Sequence, residues 1–154
     1  MAASRRWRLA GRWGALVTQG RWVDVPARGT LAAASVSHAV VAEAQTAYLA
    51  GHNTWGQLGQ GRTSVWGTAR IALPDRIVSA AAGLGFTCLA TSDALYVSGT
   101  NVRGQMGLDQ ERGSLSFQRL ALPAVRSVCA GLDHMLVLAG AQEGACGRHT
   151  DRQL

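Results

Sequence analysis

The segment Gly51-His-Asn-Thr-Trp-Gly-Gln-Leu-Gly59 returns as Gly99-Thr-Asn-Val-Arg-Gly-Gln-Met-Gly107, so that Gly51, Asn53, Gly56, Gln57 and Gly59 are answered 48 residues later by Gly99, Asn101, Gly104, Gln105 and Gly107. A second motif keeps the same interval: Ser35-Val-Ser-His38, Gly83-Leu-Gly-Phe86 and Gly131-Leu-Asp-His134, each followed by an apolar stretch. Pro26, Pro74 and Pro123 precede these three motifs by 9, 9 and 8 residues. Self-similarity at a fixed period of this size means stacked supersecondary units, none of which buries its faces alone. The unit reads as strands: Ile77–Ala82, Phe86–Ala90 and Ala94–Ser98 are short runs parted by Gly, Ser and Asp. Only the alanine-rich part of residues 31–50 is ambiguous between helix and strand. Short strands with glycine turns at a period of 40–50 residues point to propeller blades of four strands each.

The expected fold is therefore all-β, a partial β-propeller of two to three four-stranded blades that leaves the ring incomplete. The expected layout is a basic segment over 1–23 and propeller repeats over 24–140, followed by a disordered tail over 141–154. Within the repeats, residues 1–30 are degenerate, 31–82 and 83–130 are clear units, and 131–140 begins another.

The stretches Tyr48-Leu-Ala-Gly-His-Asn-Thr-Trp-Gly-Gln-Leu-Gly-Gln-Gly61, Leu95-Tyr-Val-Ser-Gly-Thr-Asn-Val-Arg-Gly-Gln-Met-Gly107 and Val125-Arg-Ser-Val-Cys-Ala-Gly-Leu-Asp-His-Met-Leu-Val-Leu-Ala139 resemble the repeat of the regulator of chromosome condensation family. That repeat is an aromatic-x-x-G-x-N-x-x-G-Q-L-G turn, then a proline, then a G-x-x-H strand, and the resemblance covers roughly residues 31–140. It implies a ring of about seven blades, of which this chain supplies less than half. It also implies a protein-binding scaffold, with guanine-nucleotide exchange on a small GTPase as the associated activity. Gly83-Leu-Gly-Phe-Thr-Cys-Leu, Asn101-Val-Arg-Gly and Gly131-Leu-Asp-His-Met-Leu-Val-Leu-Ala are most similar to the mitochondrial, exchange-factor-like branch. Two departures stand out. Phe86 occupies the histidine position of the middle unit, and the partial echo Gly11-Arg-Trp-Gly-Ala-Leu-Val-Thr-Gln-Gly20 sits only 24 residues before Ser35.

All 15 basic residues are arginine, against 9 acidic ones, for a net charge of +6. Without lysine the chain has no Schiff-base lysine and no complete G-x-x-x-x-G-K-[ST] phosphate loop. Arg5, Arg6, Arg8, Arg12 and Arg21 all precede the first acid, Asp24. An arginine-rich, acid-free start has the composition of a mitochondrial transit peptide; a basic surface arm is the competing reading. Localisation is thus expected to be mitochondrial, with cytoplasm or nucleus as alternatives. Beyond residue 23 ten arginines face nine acids with no basic stripe, so RNA contact is a secondary expectation. Cys88 and Cys129 lie in apolar runs and read as buried, inert thiols. The cysteines and histidines lack zinc-site spacing, so no metal or cofactor is expected. No apolar stretch reaches the roughly 18 residues of a membrane helix, and no membrane insertion is expected.

His38 and His134 read as structural, half-buried imidazoles bonding backbone groups of a neighbouring strand. Asp133 beside His134 suggests an acid–base dyad, but successive strand residues point to opposite faces, which argues against a hydrolase and for no catalytic residue at all. Gln57 and Gln105, between glycines, read as turn-locking side chains. Trp55 and Arg103 share one repeat position on the loop and are partner-contact candidates, with an ordinary solvated loop as the alternative. Asp133 is the third such candidate. The function expected is a non-catalytic protein-binding scaffold related to GTPase exchange. The alternatives are a mitochondrial ribosome- or RNA-associated assembly factor, and a truncated product without independent activity.

Overall fold

The computed structural model describes residues 7–9, 23–25, 31–140 and 142–147. Among them every regular element is a strand. Strands β1 (Trp7–Leu9) and β2 (Val23–Val25) pair antiparallel with each other. The rest of the expected basic segment and degenerate repeat lies outside the described residues.

Three further sheets follow in chain order. The first joins β3 (Leu31–Ala34), β4 (His38–Glu43), β5 (Thr46–Asn53) and β6 (Ser64–Ala72) as an antiparallel meander. The second joins β7 (Ser79–Ala82), β8 (Phe86–Ala90), β9 (Ala94–Gly99) and β10 (Ser114–Ala121) in the same way. The third holds β11 (Val125–Ala130), β12 (His134–Ala139) and β13 (Gln142–Gly147). The first strands β3, β7 and β11 lie side by side, as blades do toward a common axis. The molecule is an open, partial β-propeller.

Two expectations about layout need correction. The units divide at residues 73–78 and 122–124 rather than after 82 and 130, because β7 pairs with β8 and β11 with β12. The G-x-x-H turn therefore lies inside a sheet, between its first and second strands. The expected disorder from Ala141 onward also fails for Gln142–Gly147, whose backbone pairs with β12 from Ala139↔Gln142 to His134↔Gly147. Gly147 stands 48 residues after Gly99, so this stretch is the third repeat of β5 and β9 with its side chains changed beyond recognition.

Position in the stack explains the side-chain pattern. β8 and β9 are buried at every residue and β4 at all but Glu43, since each lies between two sheets or has both faces covered. Such strands read as continuous apolar runs. β6 and β10, at the outer edge, mix half-buried and exposed residues instead, with β6 largely alternating. One core, with Val40, Leu49, Leu58, Leu89 and Tyr96, fills the space between the first and second sheets. Another, with Phe86, Cys88, Val97, Met106, Val128, Met135 and Val137, fills that between the second and third.

The two junctions solve one packing problem with different chemistry. At the first, Thr87 Oγ1 donates to Gln57 O at 2.6 Å, so its oxygen accepts from His38 Nε2–H, also at 2.6 Å. His38 Nδ1 must then accept, and it takes the Ser37 hydroxyl at 2.9 Å. Burial first, and the charge of His52 second, lower the His38 pKa to about 4. The imidazole is a neutral, fixed tautomer. It is fully buried and bonds side-chain hydroxyls, not the half-buried, backbone-bonding group expected from sequence. At the second junction Phe86 takes the place of His38 and Met135 that of Thr87, both buried in one apolar cluster. Phe86 is thus half of a matched change and not a decayed repeat.

Candidate functional site

The loops between the third and fourth strands carry the 48-residue motif, and each is closed by the same two side chains. Asn53 Oδ1 accepts from Leu58 N at 3.0 Å while its Nδ2 donates to Arg62 O at 2.8 Å; Asn101 does the same with Met106 N at 2.8 Å and Gln110 O at 2.6 Å. Gln57 Oε1 accepts from Trp55 N at 3.0 Å, and Gln105 Oε1 from Arg103 N at 2.9 Å. All four amide side chains are buried. Buried polar groups of this kind fix a loop because leaving them unpaired is costly. Tying down the backbone amide of Trp55 and of Arg103 leaves their side chains on the outside of the loop. Gly56, Gly59, Gly104 and Gly107 all take positive φ within the same turns.

The first of these loops also seats on the second sheet. Ser98 Oγ donates to Gly56 O at 2.6 Å, and Gly61 N to Leu115 O at 2.8 Å. The short turns between first and second strands are linked in turn, Leu84 N donating to Leu132 O at 3.0 Å. These bonds join loops from three sheets into one rim.

A groove of about 290 Å³ opens on that rim, lined by Trp55, Leu84, Val102, Arg103, Leu132 and Asp133 together with Gly85, Thr100 and Gln105. Trp55 comes from the first sheet's loop, Leu84, Val102 and Arg103 from the second sheet, and Leu132 and Asp133 from the third. The structure thus brings all three partner-contact candidates, Trp55, Arg103 and Asp133, to one site. Gly85 leaves the room that the Trp55 indole occupies, since a β-carbon there would lie 2.6 Å from the ring. Arg103 Nη1 reaches Asp133 Oδ2 at 3.3 Å, from the second sheet to the third. Both side chains are partly exposed, so the pair contributes at most about 1 kcal/mol. Its larger effect is to set a charged clamp beside the exposed apolar side chains of Leu84, Val102 and Leu132.

Asp133 and His134 are closer than strand alternation implies. Asp133 sits in the turn, not on the strand, and its Oδ1 lies 3.9 Å from His134 Nδ1. The carboxylate is already engaged by Arg103. A further correction concerns Cys129: Cys88 is buried as expected, but Cys129 is exposed.

Sequence reasoning missed the apolar part of the groove. Val36, Leu84 and Leu132 fall at successive 48-residue intervals, each in the turn before its second strand, and all three are exposed. The signal was present: turns favour polar residues and glycine, and an aliphatic residue recurring at one turn position in three units has no packing reason to be there.

No protein-family model matches the chain, and no curated protein sequence matches it. Solved structures do. The crystal structure of human WBSCR16 is similar with a TM-score of 0.66 and 20% identity over 72% of this chain and 31% of that one. The crystal structure of Kap60 bound to yeast RCC1 (Prp20) is similar with a TM-score of 0.57 and 24% identity over 72% of this chain and 30% of that one. The chain spans about a third of the length of either. At these identities the likeness is one of fold, and the chain has the RCC1-like fold in the form of an open, partial β-propeller.

Proposed function

We propose that this chain is a non-catalytic protein-binding scaffold whose partner seats on the rim groove between Trp55, Leu84, Leu132 and the Arg103–Asp133 pair. One observation carries the reading. An exposed aliphatic residue stands at the same turn position of three successive sheets, 48 residues apart, and two of the three, Leu84 and Leu132, line a groove with the exposed Trp55. Contiguous exposed apolar residues mark interaction surfaces, and tryptophan and arginine are the residue types that dominate them energetically. The yeast RCC1 structure, bound to Kap60, supports a protein partner for this fold. A small GTPase is the finer reading, with the rim stabilising the nucleotide-free form by differential affinity.

Leu132→Asp and Trp55→Ala are each expected to weaken partner binding about tenfold or more while the melting temperature stays within a few degrees. Binding of nucleotide-free small GTPases, compared between these variants and Arg126→Ala as an outlying control, checks it. Ribosomal RNA is assayed in parallel at low and high salt. Retention of RNA that falls steeply with salt and persists in both groove variants would replace the scaffold reading with an RNA-binding one. Mitochondrial placement rests on the five arginines and absent acids of residues 1–23; those residues fused to a reporter are expected to direct it into mitochondria, and a cytosolic reporter would remove the placement.

A further inference from the structure

The size, main-chain chemistry and charge of the rim groove each narrow what it takes. Its volume of about 290 Å³ lies at the bottom of the range for whole small-molecule sites, about 300–1,000 Å³. That is room for one large side chain of a partner rather than for a nucleotide or a ligand of similar size. Four backbone amides at the groove are already bonded within the chain. Trp55 N donates to Gln57 Oε1 at 3.0 Å and Arg103 N to Gln105 Oε1 at 2.9 Å. Leu84 N donates to Leu132 O at 3.0 Å and Thr100 N to Gly85 O at 2.8 Å. Strand addition and phosphate binding both draw on open main-chain donors, so recognition falls to side chains.

The charged residues that line the groove, Arg103 and Asp133, are spent on each other, Nη1 to Oδ2 at 3.3 Å. A charged group seated beside this pair would give up water and meet no net opposite charge in return. The neighbouring repeat shows that the compensation is local. At the positions 48 residues earlier, Trp55 takes the place of Arg103 and Gly85 that of Asp133, and the indole packs over the glycine. Where the loop residue is neutral, the facing turn is neutral; where the loop brings a cation, the turn brings its counter-ion. The groove is thus kept free of net charge, and Trp55, Leu84, Val102 and Leu132 offer an occupant exposed apolar surface.

We infer that the groove accepts an uncharged segment of a partner protein, anchored by one large apolar side chain between Trp55, Leu84 and Leu132, and that the Arg103–Asp133 pair is a filter against charged residues beside that anchor. The inference rests on the groove being the docking site and adds the chemistry of what docks there.

Selection from a random peptide library displayed on phage, with the intact chain immobilised, tests it. The enriched peptides are expected to share a Leu, Ile, Phe or Trp whose flanking residues are uncharged. Asp133→Asn leaves Arg103 uncompensated and is expected to enrich the same anchor with Asp or Glu beside it. Arg103→Gln is expected to enrich Lys or Arg there instead, so either variant decides if the other fails to fold. A synthetic copy of the best native-selected peptide, with Glu placed beside the anchor, is expected to bind the native chain about tenfold more weakly and Asp133→Asn at least as tightly as the neutral peptide does. If neither variant folds, the neutral and Glu peptides compared on the native chain decide, and equal affinities contradict the filter. Charged flanks in the native selection, or the same neutral motif from a folded charge variant, would overturn the filter and leave the docking surface standing. No enrichment by the native chain, or enrichment that survives Leu132→Asp, would overturn both. Single-stranded RNA that binds the native chain and is lost from Leu132→Asp would give the groove to a nucleobase and contradict the proposal.

Discussion

Acidification from pH 7 to pH 4 is expected to remove about 3 kcal/mol from the stability of this fold through one side chain. His38 is buried and neutral, with its pKa lowered from 6.5 to about 4. At pH 7 the folded chain leaves it neutral and the unfolded chain protonates only a minority of it. As the pH falls through 6.5 the unfolded chain gains a proton and the folded chain does not, so stability declines. The decline ends near pH 4, where the folded imidazole also takes a proton. The loss follows from burial, which disfavours a charged imidazole inside the junction, and the charge of His52 adds to it. Replacing the pair with the chemistry of the other junction, His38→Phe with Thr87→Met, is expected to flatten the profile between pH 6.5 and 4. Urea unfolding at a series of pH values checks it. A slope in the double variant equal to that of the native chain would assign the titration to other groups.

Gly99→Ala is expected to destabilise the chain by about 3 kcal/mol or more, combining left-handed strain with overpacking. Gly99 closes β9 at φ 116°, and a β-carbon there would lie 2.6 Å from Phe86 Cα and closer still to the Gly85 carbonyl. Neither neighbour can yield, because Gly85 O accepts from Thr100 N at 2.8 Å and Phe86 is fully buried. Gly104 provides the control. It also has positive φ, at 69°, but an added β-carbon meets nothing within 4 Å. Gly104→Ala is therefore expected to cost only about 1–2 kcal/mol, the conformational part alone. Equal losses in the two variants, read from denaturant midpoints, would mean that the close approach at Gly99 contributes nothing. Gly51, at φ 135° against His38, repeats the arrangement in the first sheet.

These two sites mark what could be read from sequence. The 48-residue interval and its glycines were legible because backbone geometry at Gly51 and Gly99 admits no other residue. The alanines of residues 31–50 were not. Alanine is the best helix former in isolation, and only the stacking of β3, β4 and β5 between other elements makes a small side chain the suitable one for a strand. Cys129 was misread for the complementary reason: its apolar neighbours describe the sheet, whereas its exposure depends on what covers that sheet. Phe86 looked like a lost histidine until Met135, 49 residues away, was seen in the place of Thr87. The groove was half legible. Repeat position singled out Trp55 and Arg103, and Asp133 was suspected from its neighbour, but their convergence needs three sheets placed edge to edge.

Site-specific photo-crosslinking tests the rim as a binding surface most directly. A photoreactive residue at Val102 or Leu132, both exposed at the groove, is compared with one at Asp75, exposed on the connection at the opposite rim. Covalent capture of one protein partner from both groove positions, absent from position 75, is the predicted result. Capture of RNA, or the same products from position 75 as from the groove, would contradict it.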